Sequence, residues 1–109
     1  MSETAKLAKF AATITYDALP VEVAERAKFL IMDIVGNTLR ARHDAESTPA
    51  LIAASKALGY AVGTSRVIGS SETYTPPAAA MINGTLAHSL DFDDTHASGS
   101  IHSSAPIVP

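Results

Sequence analysis

Three of the chain's four histidines and three of its aspartates fall within one segment, Asn83 to His102, which reads NGTLAHSLDFDDTHASGSIH. Charged residues make up only 17% of the chain, against roughly 25% in an average soluble domain, so titratable groups gathered in one place point to chemistry rather than to solvation. His88 and Asp91 are three apart, a spacing that lets two side chains meet on one helical face, although a histidine near a helix C-terminus is also favoured by the helix dipole alone. Asp91, Asp93 and Asp94 repel one another and follow a helix whose dipole disfavours negative charge there. Something must compensate them: a substrate-positioning network, a metal, or basic residues elsewhere. Capping of a following helix by Asp94 or Thr95 accounts for only one of the three. His102 stands in a Gly- and Ser-rich loop over residues 97–104. With an unperturbed pKa of about 6.5, a histidine there has the form of a general acid/base, although a lone loop histidine is usually just exposed. His96 carries a weaker version of that argument, and His43, beside Asp44, reads as a solvated surface residue.

Two rival chemistries fit the same letters. Asp91-Phe92-Asp93-Asp94-Thr95 spells D-x-D-x-T, the pattern of magnesium-dependent phosphatases with an aspartyl nucleophile. That pattern should follow a buried strand, whereas Gly84 to Leu90 reads as helix. Asp91, Asp93 and His96 offer the hard oxygens and imidazole that suit several divalent ions, but clusters of this kind are common and the spacing is a weak signal.

Four helical segments must position these groups. The first is expected over about Thr4 to Thr15, capped by Ser2 or Thr4, with Leu7, Phe10, Ala11 and Ile14 on one face. After a turn at residues 17–20, Pro20 suits the first position of a second helix reaching about Arg42. Its core-facing stripe is Val23, Ala27, Leu30, Ile31, Ile34, Val35 and Thr38, and Arg40 and Arg42 suit its negative end. Gly36 interrupts this helix as a close-packing contact or a simple weakness. Thr48-Pro49 starts a third helix, to about Leu58, ended by Gly59 or Gly63. Arg66 to Gly69 reads as a lone strand or an extended link, and Ser70 to Thr75 as a polar loop. Thr75-Pro76 starts a fourth helix, to about Leu90, turning Ala80, Leu86 and Leu90 towards a core. The acidic motif therefore falls at the end of this helix and in the loop after it, where a rigid scaffold often presents catalytic groups.

Composition narrows the function classes. The chain carries 8 Lys and Arg against 11 Asp and Glu, a net charge of -3, and the cations are scattered from Lys6 to Arg66 without a basic face, so nucleic acid is not an expected partner. The start lacks a positive n-region followed by an apolar stretch, and no apolar run approaches the roughly 18 residues of a membrane span. A cytoplasmic protein without a membrane partner is the expectation. There is no cysteine, which removes disulfides, thiolate nucleophiles and Cys-ligated metals within these residues. Low charge with much alanine, and an apolar Pro-containing run from Ser104 to Pro109, read as one helical domain, residues 1–109, that is incomplete and covered by further sequence or by another subunit.

The motif is more specific than its chemistry. Asn83-Gly84-Thr85-Leu86-Ala87-His88-Ser89-Leu90-Asp91-Phe92-Asp93-Asp94-Thr95-His96, followed after a short loop by His102-Ser103-Ser104-Ala105-Pro106-Ile107-Val108-Pro109, closely resembles the signature of the MmgE/PrpD family. Leu7-Ala8-Lys9-Phe10-Ala11, Asp33-Ile34-Val35-Gly36 and Pro49-Ala50-Leu51 resemble its amino-terminal region, so the resemblance covers nearly the whole chain. The family includes 2-methylcitrate dehydratases, cis-aconitate decarboxylases and iminodisuccinate epimerases, and its members are considerably longer than this chain. The resemblance implies an all-α fold, the amino-terminal part of the family's large helical domain, with the active site between it and a smaller α+β domain. It implies a lyase that moves a proton at a carbon next to a carboxylate of a small di- or tricarboxylate, without metal or cofactor, in a homodimer, with 2-methylcitrate dehydration as the first expectation and the family's other reactions as alternatives. By residue match, Asp91, Thr95 and His102 would act in the site, supported by Asn83, His88 and Asp94, while the family's substrate-binding lysines and a further histidine lie beyond Pro109. Ser103 departs from the family pattern, which often has Pro after the second motif histidine; Pro would fix the backbone there, so Ser leaves the choice among the activities open. A truncated, non-catalytic helical remnant serving as an interaction module is the alternative from another class.

Overall fold

The computed structural model describes residues 1–109 as an array of helices with two very short hairpins. The helices are α1 (Glu3–Thr13), α2 (Val21–Asp44), α3 (Thr48–Ala57), α4 (Pro76–His88) and α5 (Ser104–Ile107); the hairpins pair β1 (Ser65–Arg66) with β2 (Thr73–Tyr74) and β3 (Thr95–His96) with β4 (Ile101–His102), both antiparallel. The expected all-α class holds, since the strands are only two residues long and form no common sheet.

Local sequence explains most boundaries. Ser2 caps α1, its hydroxyl accepting from the Ala5 N–H. Pro20 precedes the first residue of α2, one place earlier than expected, and its carbonyl accepts the first helical bonds. Pro49 and Pro76 lie within the first two positions of their helices, where a missing N–H costs nothing. α3 ends where Gly59 adopts a positive φ of 77°. Its N–H bonds to the Lys56 carbonyl and that of Tyr60 to the Ser55 carbonyl, the two bonds of a Schellman motif.

The region expected as a lone strand and a polar loop folds as the β1–β2 hairpin, in which Ser65 faces Tyr74 and Arg66 faces Thr73. Its reason is the burial of Tyr74, which has no exposed surface and whose hydroxyl donates to Glu72. A side chain on Gly63 would meet the Tyr74 carbonyl at 2.8 Å; glycine is what lets the two backbones approach.

The core forms around α4. Ala78, Ala79, Ile82 and Leu86 pack with Ala41 and Ala45 of the α2 end, Val67 and Tyr74, while Ala87 packs on the other side with Ile34 and Ala105. Alanine at these contacts lets α2 and α4 run close together. The expected stripe on α2 is covered only in its second half: Ile34 and Thr38 are buried, whereas Val23, Ala27 and Ile31 are exposed. The Leu7, Phe10, Ala11 and Ile14 face of α1 is exposed too, since no residue of that helix is buried. Ala80 also faces outward, because the close helix contact takes Ala79 instead. Gly36 makes no close contact; a side chain there would meet nothing within 4 Å.

Candidate active site

α4 ends at His88, two residues short of the expected Leu90, and the chain then turns sharply. Asp91 makes the corner with a φ of 57° and donates its N–H to the His88 carbonyl. Aspartate tolerates this left-handed region better than most residues. The corner sends residues 92–102 back across the end of α4, and the β3–β4 ladder then fixes Thr95 opposite His102 and His96 opposite Ile101.

This path changes the expected pairings. His88 makes no hydrogen bond with Asp91, because the helical spacing that would join them ends with the helix. Its Nδ1 lies 2.9 Å from Asp93 Oδ1, and His102 Nδ1 lies 3.2 Å from Asp93 Oδ2. The Asp93 side chain is entirely buried between them. The two imidazole rings meet edge to face, with centroids 4.7 Å apart. His102 Nε2 lies 3.7 Å from Asp91 Oδ1, and Asp91 is otherwise open to solvent.

The three carboxylates are thus compensated separately. Asp93 has two imidazoles. Asp94 accepts from the Ser103 hydroxyl at 3.0 Å and from the Ser104 N–H at 3.1 Å, tying the acidic turn to the start of α5. Hydrogen bonding by Ser104, then by Ser103, holds its carboxyl below the usual carboxylate range against the opposing effect of burial. Asp91 has only the nearby His102.

Between α4 and α5 opens a cleft of about 650 Å³, lined by Met81, Gly84, Thr85 and His88 on one side and by His102, Ala105 and Pro106 on the other. No Lys or Arg lines it. It therefore presents two imidazoles on a largely apolar wall, an arrangement able to move protons but without the cations needed to bind an acidic substrate.

Of the residues singled out in the sequence, His88, Asp91 and His102 come together, and Thr95 joins them through the ladder. Asp94 braces the turn from behind. Asn83 faces elsewhere: its amide accepts from the Ile68 N–H at 2.9 Å and donates to the Arg66 carbonyl at 3.2 Å, fastening β1 to α4. Asp93 is the residue that sequence reasoning undervalues: the letters present it as one acid of the run and as a possible metal ligand, not as the partner of two histidines.

The rival chemistries lose their scaffolds. The D-x-D-x-T letters follow a helix rather than a strand. The metal trio of Asp91, Asp93 and His96 is not assembled, because His96 Nδ1 accepts from the Gly99 N–H at 3.0 Å in its own turn. The groups whose donor atoms do converge, within 4.8 Å of one another, are His88, Asp91, Asp93 and His102. Both oxygens of Asp93 are already bonded to the two rings. His43 is exposed, as expected. No helix is long and apolar enough to cross a membrane.

Comparison with known proteins gives the chain's family. Residues 5–109 match the family model described as the MmgE/PrpD N-terminal domain. The cis-aconitate decarboxylase-like protein oryM of Aspergillus oryzae is 31% identical over 97% of this chain, and cis-aconitate decarboxylase of Aspergillus terreus is 29% identical over the same share. The chain spans 22% and 21% of the lengths of these relatives. No solved structure matches it significantly.

Proposed function

The chain belongs to the MmgE/PrpD family, and from that premise we propose that it supplies the proton-transfer half of a lyase active site acting on a small di- or tricarboxylate. The observation that carries this reading is the setting of His102, which faces the cleft with Nδ1 against the buried Asp93 and Nε2 towards Asp91.

In this reading His102 exchanges a proton with a substrate carbon next to a carboxylate, Asp91 orients or charge-stabilises the ring, and the Thr95 hydroxyl holds a substrate carboxylate. His88 and Asp94 support the arrangement directly, whereas Asn83 contributes only by fastening β1 to α4. In decarboxylation the bond to the leaving carboxyl carbon breaks, its electron pair moves towards the remaining conjugated carboxylate, carbon dioxide departs, and the imidazolium returns a proton to carbon. In dehydration the neutral imidazole takes a carbon proton and hydroxide leaves the neighbouring carbon. The same histidine serves both, so the chemistry of this half-site is common to 2-methylcitrate dehydration and cis-aconitate decarboxylation. The named relatives favour cis-aconitate. Cations for the substrate carboxylates must come from outside the cleft wall described above. The exposed apolar residues of α1 and α2, among them Leu7, Phe10, Phe29 and Met32, suit coverage by further protein, in our reading the rest of a homodimer.

The test is steady-state turnover of cis-aconitate and of 2-methylcitrate by the complete site, this chain together with the protein that supplies the cations, and by its His102→Ala and Asp91→Asn variants, since the chain alone is expected to be inactive. His102→Ala should lose roughly 10²-fold or more in kcat, the usual contribution of a positioned acid/base, with the fold retained by circular dichroism. Turnover like wild type in both variants overturns the reading.

A further inference from the structure

The buried Asp93 carboxylate touches two imidazoles through the same ring atom of each, Nδ1 of His88 at 2.9 Å and Nδ1 of His102 at 3.2 Å, one on each oxygen. An ionised carboxylate only accepts hydrogen bonds, so each Nδ1 must carry its proton. The second nitrogen of each ring, Nε2, is then left as the site of proton exchange, and both rings line the same cleft. His96, the third histidine of the segment, is held the opposite way: its Nδ1 accepts from a backbone N–H, so the proton of its neutral form lies on Nε2, and it stays outside the cleft. We propose that Asp93 is a positioning residue that locks His88 and His102 into the same tautomer, making His88 a second proton-exchanging group beside His102. This rests on the lyase reading for its catalytic meaning, but the tautomers can be read without turnover.

The carboxylate's two equivalent acceptors are essential to the argument. Asn at position 93 would keep the shape but present one acceptor and one donor. Only one ring could then keep its Nδ1 proton against position 93; the other would have to offer a bare Nδ1 to the amide and move its proton to Nε2.

The experiment is nitrogen-15 NMR of the histidine side chains in the protein, at a pH where both rings are neutral, for wild type, His88→Gln, His102→Gln (to assign the signals) and Asp93→Asn. Both rings should show the Nδ1-protonated form in wild type, and one should switch in Asp93→Asn, with kcat falling roughly 10²-fold or more while KM changes less. An Nε2-protonated His88 or His102 in wild type overturns the proposal, as does an Asp93→Asn variant with both rings unchanged. If that variant does not fold, the wild-type spectrum alone decides. A complete site that is inactive on both substrates, but with both rings Nδ1-protonated, would overturn the lyase reading and leave the tautomer lock standing.

Discussion

Thr95 lies directly across the two-residue ladder from His102, which puts their side chains on the same face of the hairpin, with Cβ atoms about 5 Å apart in such pairs. The hydroxyl is therefore carried on the same strand pair as the His102 ring. Replacing Thr95 by Val keeps a β-branched strand former and removes only the hydroxyl. Losing a hydrogen bond to a charged group costs about 1.5–3 kcal/mol, so KM should rise roughly tenfold or more while kcat changes less, and Thr95→Ser should restore most of the loss. An unchanged KM in Thr95→Val removes the carboxylate-binding role.

Asp94 makes the stability of the acidic turn depend on pH. Its folded pKa is depressed, chiefly by hydrogen bonding from Ser104, so its contribution is fully present above the unfolded carboxylate value of about 3.9 and is lost as pH falls through the lower folded value. Thermal melts from pH 7 downwards should show Asp94→Asn about 1 kcal/mol less stable than wild type near neutrality, with the gap closing below about pH 4. A gap that stays constant to lower pH would show that the charge of Asp94 is not what holds Ser103 and Ser104.

Gly36 sits in the middle of α2 with open space where a side chain would be. Gly36→Ala should stabilise the protein by about 1 kcal/mol through helix propensity alone, measured by chemical denaturation. A destabilised variant would mean that another part of the protein approaches this position closely.

Tyr74 separates packing from polarity within one side chain. Its ring is completely buried and its hydroxyl donates to Glu72 at 2.9 Å, while Lys56 holds the same carboxylate at 2.6 Å. Tyr74→Phe should cost about 1 kcal/mol and Tyr74→Ala about 3–5 kcal/mol by denaturant titration. Equal losses in the two variants would place most of the energy in the hydroxyl.

The helix starts were legible because their signals are local: a threonine followed by proline marks the beginnings of α3 and α4 within one residue. The segment that carries the site was legible by the density of its titratable groups. What the letters could not convey was which acid met which histidine. The expected His88–Asp91 contact assumed that the helix ran on to about Leu90, and the left-handed turn at Asp91 broke that spacing and brought Asp93 in instead. Asp93 lies five residues after His88 and nine before His102, separations that no short-range rule connects. The β1–β2 hairpin escaped notice for a related reason, since two-residue strands leave no alternation to read and the pairing depends on burying one tyrosine. Half of the apolar stripe on α2 remains uncovered by these residues, which sequence periodicity alone had no means of telling.

The positive φ at Asp91 narrows the alphabet available at that corner before any chemistry is considered. Glycine, asparagine and aspartate are the side chains the backbone accepts there with least strain. Of those three, only aspartate brings a negative charge to within 3.7 Å of the His102 ring. A designer who wished to remove the charge could do so without disturbing the turn, whereas one who wished to restore it with glutamate would have to remake the corner.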